Sequence, residues 1–263
     1  MAGDGQLLRA LGDTRRKGYG MASPTRETSP LACARVAGFL YLVIIVFGIS
    51  AEVFIRSSLI EPGDAAATAS KIIASGGLFR IGFLADSIML LCDVALAVLL
   101  YALLKPVSHK VAQLALFFRL THAAVLTLNL LNYHAAILLL NGSSYASMIG
   151  ADQVHSLSYL FLDLHAHGYD LGLLLFAAHC ALVGYLIYKS RFLPKLLGVL
   201  VIAASATYFI GSYTRFLFPD HFSAVSQIYG VAIVSEVSLC LWLLVKGVNV
   251  PRWKERAGEL VAT

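Results

Sequence analysis

Six stretches of this chain are long and apolar enough to cross a lipid bilayer, and this feature restricts the fold more than any other. A crossing takes about 20 helical residues, because in lipid each backbone N–H and C=O group must be bonded within the helix. The stretches are Cys33 to Ile55, Leu78 to Leu104, Val111 to Leu140, Leu157 to Tyr188, Leu193 to Thr214 and Ser223 to Val245. They predict an all-α fold, a polytopic membrane bundle of six transmembrane helices.

The composition supports a membrane protein and restricts its partners. The chain is 59% hydrophobic and 13% charged, with a mean hydropathy of +0.77, whereas soluble domains average about 25% charged residues. The net charge of +5 does not indicate nucleic acid, because most basic residues flank the apolar stretches, where membrane orientation explains them. The expected partner is the lipid bilayer, with no nucleic acid, and the sequence leaves the oligomeric state open.

The distribution of Lys and Arg predicts the orientation. The N-terminal tail, the second and fourth loops and the C-terminus carry 14 of these residues, against 3 in the other three loops. Segments rich in Lys and Arg stay in the cytoplasm, so both termini are expected there. The chain then divides into a disordered cytoplasmic tail (residues 1–30), a six-helix transmembrane domain (31–248) and a cytoplasmic C-terminal tail (249–263).

A reporter enzyme that works only outside the cytoplasm tests this orientation. Fused behind Thr263, it is expected to be inactive, because the positively charged C-terminal segment stays in the cytoplasm. Reporter activity in whole cells is the measurement, and an active fusion would show that the orientation is inverted.

The fourth stretch carries polar residues on two opposite faces. At about 100° per helical residue, one face groups Asp163, His167 and Asp170. The opposite face groups His165, Gly168, Gly172 and His179. Lipid can cover neither face comfortably, so other helices are expected to pack against both.

The buried polar residues fall into two layers when their depth is calculated along each helix. The inner layer, about 12 to 16 Å from the cytoplasmic helix ends, is a candidate polar cluster made of Asp93, Arg119, His122, His179 and Glu236. The outer layer, about 27 Å from those ends, contains Asp86, Asn129 and Asp170. A charge at the bilayer centre costs about 2.5 to 3.5 kcal/mol, so these groups are expected to pair or to face water.

Arg119 is expected to bind both Asp93 and Glu236. Two carboxylates around one guanidinium leave a surplus negative charge, which a proton, a cation or a protonated histidine can balance. This surplus argues for a functional site. A closed ionic network that only fixes helix register is the alternative interpretation.

The histidines raise the question of a cofactor. His122 and His179 have comparable depths on adjacent helices, which suits axial ligation of a haem, but hydrogen-bonded polar histidines are the commoner explanation. His165 and His167 point about 200° apart on a helix, which argues against a metal between them. The sequence therefore predicts no metal site and leaves any cofactor unknown.

Two features near the first loop have local explanations. Glu52 and Arg56 have the i, i+4 spacing of a salt bridge. Asp64 is a candidate N-cap for a short Ala-rich surface helix that ends before Gly76 and Gly77.

Several segments resemble a known family: ARVAGFLYLVIIVFGISAEVFIRSSLI, LFRIGFLADSIMLLCDVALAVLLYALLKPV, FLDLHAHGYDLGLLLF and LWLLVKGV. They are similar to the multi-helix bacterial membrane proteins catalogued as domain of unknown function 4386. The likeness extends from about Arg35 to Val248. It implies a prokaryotic plasma-membrane protein without an established activity, and it gives no residue a role.

Three functions fit these observations. The favoured one is transport or sensing of a small-molecule ligand, coupled to protonation of Asp93, Asp170 or Glu236. The second is a membrane-embedded redox or lipid-modifying enzyme that uses buried His and Asp, although the chain lacks H-E-x-x-H, G-x-S-x-G and C-x-x-C signatures. The third is a structural or accessory membrane subunit. Whether the chain is an enzyme is left open.

Overall fold

A computed structural model describes residues 29–142 and 148–261, and within these ranges the regular structure is helical, without a β-strand. The predicted all-α class is therefore confirmed. The longer helices are α1 (Pro30–Ile49), α2 (Ala65–Ala74), α3 (Gly76–Leu104), α4 (His109–Leu140), α5 (Ala151–Lys189), α6 (Lys195–Leu217), α7 (Tyr229–Val245) and α8 (Val250–Val261). Except for Ser29 and Pro30, the predicted N-terminal tail lies outside the described residues.

Within the described ranges, five helices are long and apolar enough to span a membrane: α1 continued to Leu59, α3, α4, α5 and α6. A sixth span arises when α7 is joined to the short segment Pro219–Val225, at a bend of 51°. The chain is thus a multi-pass membrane protein. The last predicted stretch, Ser223 to Val245, is interrupted: the short 3-10 turn Ser226–Ile228 separates the helical segment Phe222–Val225 from α7, which begins at Tyr229.

The six apolar helices form a closed ring. Each packs against the next in sequence, from α1 on α3 through to α6 on α7, and α7 packs against α1. Short connections favour such antiparallel neighbours, because successive helices have little chain with which to separate. A ring of this kind has one interior, which every helix can reach with a side chain.

The interface between α4 and α5 is held by hydrogen bonds from polar side chains to the backbone of the opposite helix. His179 Nδ1 donates to Ala115 O at 2.8 Å. His122 Nδ1 donates to Gly172 O at 2.9 Å. The imidazole nitrogen is the donor in both, because a carbonyl oxygen can only accept. Two further side chains donate to backbone carbonyl oxygens in the same way: His165 Nδ1 to Asn129 O at 3.2 Å, and Ser158 Oγ to Ala136 O at 3.1 Å.

These bonds repeat every seven residues on both helices. The layers stand at positions 115, 122, 129 and 136 of α4, opposite positions 179, 172, 165 and 158 of α5. Seven residues return almost to the same side of a helix, so slight supercoiling keeps such a seam in contact. This seam, named here the α4–α5 ladder, sets the register and the rotation of both helices.

Two smaller helices lie outside the ring. Asp64 Oδ1 accepts a hydrogen bond from Ala67 N at 2.8 Å, so the predicted cap and the short helix α2 are confirmed. The C-terminal segment forms the helix α8, whose Trp253 donates from Nε1 to Leu103 O at 2.9 Å. This bond joins α8 to the end of α3.

The ring closes where α1 passes α7 at Gly38. A Cβ atom at this position would lie 2.7 Å from the Cα of Leu244, which is closer than packed carbon atoms approach. Cys240 Sγ also donates to Gly38 O at 3.4 Å. The first and last helices therefore meet at backbone distance.

Gly38→Ala is expected to lower the free energy of unfolding by about 1 to 3 kcal/mol, because the two backbones must move apart. Gly230→Ala on α7 is the control, since a Cβ there meets nothing within 4 Å. The control should be neutral or stabilising by up to about 1 kcal/mol. Unfolding in detergent measures both, and equal destabilisation would contradict close contact at Gly38.

Candidate functional site

Side chains from all six ring helices meet in the interior. We name this group the inner cluster, and it contains Tyr41, Asp93, Arg119, His122, Phe176, His179, Tyr208 and Glu236. The predicted cluster residues are all among them. One contact differs from the prediction: Glu236 has a different partner from the expected Arg119.

Arg119 and Asp93 form the charged pair of the inner cluster. Arg119 is 1% exposed and donates to Asp93 Oδ1 from Nε at 3.0 Å and from Nη2 at 2.5 Å. The predicted pair between α3 and α4 is therefore present. The second carboxylate oxygen, Oδ2, is buried without a hydrogen-bond partner among the described atoms.

His179 is the second polar partner of Arg119. Arg119 Nη1 lies 3.0 Å from His179 Nε2, and because arginine can only donate, Nε2 accepts. The imidazole hydrogen is then on Nδ1, which donates to Ala115 O in the α4–α5 ladder. Both nitrogens of a neutral imidazole are thus occupied. Axial ligation of a haem by His179 would break the contact with Arg119.

Two aromatic rings complete the surroundings of Arg119. Its guanidinium carbon lies 5.1 Å from the Phe176 centroid and 5.6 Å from the Tyr41 centroid. Aromatic faces attract cations, so both rings stabilise the charge. Phe176 also contacts the rings of His122 and His179, at centroid distances of 5.0 and 5.7 Å. Sequence reasoning missed both aromatics because nothing separates them from ordinary packing residues.

Glu236 does not pair with Arg119, so that prediction is wrong. Tyr208 donates its hydroxyl hydrogen to Glu236 Oε1 instead. Arg119 directs its hydrogen bonds at Asp93, which accepts two, and at His179, which accepts one, so Glu236 takes its hydrogen bond from the neighbouring Tyr208. Tyr208 in turn packs edge-on against Phe176, at a centroid distance of 5.4 Å. Glu236 is therefore joined to the cluster through rings rather than through an ion pair.

The predicted outer layer does not form one site. Asp86 is bound by Arg56, whose Nη1 lies 2.6 Å from Asp86 Oδ2. Arg56 also donates from Nε to Glu52 Oε2 at 2.6 Å, which confirms the predicted i, i+4 pair. Asn129 instead belongs to the α4–α5 ladder, where its Nδ2 donates to His165 O at 2.7 Å.

The third outer residue, Asp170, forms a separate group. It makes an ion pair with Arg215 at the end of α6 and accepts a hydrogen bond of 3.5 Å from the Tyr229 hydroxyl. Depth alone cannot foresee this separation, because residues at one depth can face different sides of their helices. Arg56 and Arg215 were overlooked as partners because their positions near helix ends resemble loop charges.

A small void borders the inner cluster. It has a volume of about 10 Å³ and is lined by His179 and by residues of α3, α4 and α5, among them Tyr101. This volume is close to the minimum for one water molecule. The Tyr101 hydroxyl lies 3.0 Å from His109 Nε2 at the start of α4. The void therefore lies between His179 and Tyr101, and its other lining residues are apolar.

Metal ligands are not grouped in the described ranges, where no three His, Cys, Asp or Glu residues could hold an ion together. His165 is buried and turned towards α4, whereas His167 is half-exposed and lies 3.5 Å from the Asp163 carboxylate. The two side chains thus point apart on α5, as their spacing indicates.

A closed ring of apolar helices around a buried arginine and aspartate defines a multi-pass membrane protein with a polar interior. The chain belongs to the family described as Domain of unknown function (DUF4386), whose model matches residues 36–247. The predicted resemblance is therefore confirmed.

A relative from Archaeoglobus fulgidus is named only as an uncharacterized protein. It is 31% identical over 160 residues, which cover 61% of this chain and 80% of the relative. No solved structure matches the chain.

Arg119→Met is expected to lower the free energy of unfolding by about 3 to 5 kcal/mol, because it leaves the Asp93 carboxylate buried without a cation. Adding Asp93→Asn should restore more than half of the loss, since the side chain at position 93 then carries no charge. Arg80→Met, which changes an exposed arginine of α3, is the control. Unfolding in detergent is measured, and a double variant no more stable than Arg119→Met would contradict the pairing.

Proposed function

We propose that this protein moves or senses a small solute in a process coupled to protonation, and that Glu236 takes up the proton. The observation behind the proposal is the charge of the inner cluster. Asp93 and Glu236 face a single cation, Arg119, while His179 has the hydrogen bonds of a neutral imidazole. One negative charge is in excess. Such a charge is costly within a membrane, and binding a proton or a cation removes the excess.

Among the three predicted proton carriers, the contacts favour Glu236. Asp93 is paired with Arg119, and Asp170 is paired with Arg215. Glu236, by contrast, has no salt bridge among the described residues, and its hydrogen-bond donor is the neutral hydroxyl of Tyr208. A carboxylate without a neighbouring cation binds a proton most readily, because no ion pair is lost when its charge disappears.

A route for the proton is supported on one side of the cluster. The void beside His179 has room for about one water molecule, and Tyr101, which also lines it, contacts His109 at the start of α4. We propose that one water molecule and the Tyr101 hydroxyl carry the proton on this side. By the distribution of Lys and Arg, this end of the bundle faces the cytoplasm.

Coupling to the opposite end is supported by a second row of contacts. The Tyr208 ring, which is bonded to Glu236, lies 5.8 Å from the Tyr229 ring. Tyr229 contacts Asp170, which is paired with Arg215 at the far end of α6. Protonation of Glu236 weakens the hydrogen bond from Tyr208, because a neutral carboxyl group is a weaker acceptor than a carboxylate. A shift of Tyr208 can therefore reach the Asp170–Arg215 pair through direct packing, and opening of that pair would admit solute from the other side.

The proposal also covers the location. We assign the chain to the plasma membrane of a prokaryotic cell, with both termini in the cytoplasm. The distribution of Lys and Arg supports the orientation, and the relative from Archaeoglobus fulgidus supports a prokaryotic source.

A structural role is the second candidate, and the three hydrogen bonds that Arg119 makes to Asp93 and His179 favour it. In that case the polar groups only fix how the helices pack. The two roles differ in what they predict for Glu236, because a packing residue stabilises the fold, whereas a functional surplus charge destabilises it.

Glu236→Gln is expected to abolish solute-coupled proton movement, because the amide cannot take up a proton. Proteoliposomes with an internal pH dye are exposed to amino acids, sugars and small ammonium ions in turn. The wild-type protein should acidify the lumen with at least one class more than empty vesicles do. Asp163→Asn, which removes an equally charged but exposed carboxylate of α5, is the control and should leave this flux unchanged.

The same variant is tested for stability, which requires no knowledge of the solute. Glu236→Gln should raise the free energy of unfolding by about 1 kcal/mol, because it removes the surplus charge but keeps the shape of the side chain. A destabilised Glu236→Gln variant would favour the structural role. Absence of flux with every solute class, or full flux in Glu236→Gln, would contradict proton coupling through this residue.

A further inference from the structure

A cleft separate from the inner cluster lies at the end of the bundle. It has a volume of about 420 Å³, which is within the range of small-molecule sites. Its walls come from the loop between α5 and α6, from the start of α6 and from one side of α8. The charged residues that line it are Arg191, Lys195, Arg252, Arg256, Glu255 and Glu259.

The charge of the cleft favours an anion. Four cationic side chains face two carboxylates, so two positive charges are in excess. Glu259 is already engaged, since it forms an ion pair with Arg256. The cleft also contains the first residue of α6, and the N-terminal end of a helix carries a partial positive charge that attracts anions.

The walls are held together by hydrogen bonds. Arg252 donates from Nη1 to Arg191 O at 3.3 Å, which links α8 to the loop before α6. Asn249 Oδ1 accepts from Arg252 N at 3.1 Å and so caps the start of α8. Trp253 joins the other side of α8 to the end of α3. These bonds place the basic residues around the cleft before any ligand arrives.

The position of the cleft indicates the kind of anion. It lies beyond Lys189, where α5 ends, and beside Lys195, where α6 begins. Both are ends of helices long and apolar enough to span a membrane, so the cleft is at the level of the lipid head groups. In α8, Val250, Trp253 and Ala257 share one face, and Trp253 packs this face against the end of α3, which holds the basic residues of α8 at this level.

We propose that this cleft binds a phosphate group at the membrane surface. Arginine and lysine bind phosphate through charge-assisted hydrogen bonds, and several of them converge here from two helices and a loop. The phosphate of an anionic lipid head group lies at this level, and a soluble phosphate can reach it from the water. Binding is independent of Glu236 and of the proposed proton coupling.

The test uses the full chain purified in detergent. It is titrated with short-chain phosphatidylglycerol, with phosphatidylcholine of equal chain length and with inorganic phosphate. The melting temperature and native mass spectra report binding. Phosphatidylglycerol should bind more tightly than phosphatidylcholine. Lys195→Gln combined with Arg256→Gln should weaken phosphatidylglycerol binding by about tenfold or more, because two charge-assisted contacts are lost.

The control is Lys246→Gln combined with Lys254→Gln, which removes the same charge from exposed residues outside the cleft. It should leave binding unchanged. If inorganic phosphate displaces the lipid at millimolar concentration, the ligand is a soluble phosphate; if it does not, the ligand is the lipid head group. Equal weakening in both double variants, or no preference for phosphatidylglycerol in the wild-type protein, would overturn the proposal.

Discussion

The fold depends most on the hydrogen bonds that join α4 and α5. A polar side chain inside a membrane bundle must find a partner, and in this protein the partner is repeatedly a backbone carbonyl of the opposite helix. His179, His122, His165 and Ser158 each make such a bond, one layer apart. Because the layers keep a seven-residue period, the two helices cannot slide or rotate without breaking several bonds at once. This rigid pair carries the inner cluster.

The ladder also determines the chemistry of the cluster. By donating its Nδ1 hydrogen to Ala115 O, His179 is left with an acceptor nitrogen that faces Arg119. Arg119 then directs its hydrogen bonds at His179 and Asp93, whereas Glu236 takes its hydrogen bond from Tyr208. The bond from His179 to Ala115 O thus orients the imidazole that Arg119 contacts, and the ion pair of Arg119 is with Asp93. The surplus charge and the proposed role of Glu236 follow from this distribution.

Part of the site could be predicted and part could not, for a definite physical reason. Depth follows from the rise of about 1.5 Å per residue, so the common level of Arg119, Asp93 and His179 could be calculated from the sequence, and they do meet. Depth does not tell in which direction a side chain points around its helix axis, because neighbouring helices set that direction. Asp86 and Asp170 therefore share a predicted depth but pair with different arginines on different helices. Aromatic partners such as Phe176 carry no sequence signal, since apolar rings are common in membrane helices.

The sequence by itself determined the class of the protein: apolar stretches longer than a bilayer is thick must become helices, because lipid offers no hydrogen bonds to the backbone. It also determined that buried charges must find partners, because leaving them alone is too costly. Only the tertiary structure decided which partners they find. That choice depends on distances of a few ångströms between side chains far apart in sequence, as between Arg119 and His179, and helix packing alone sets those distances.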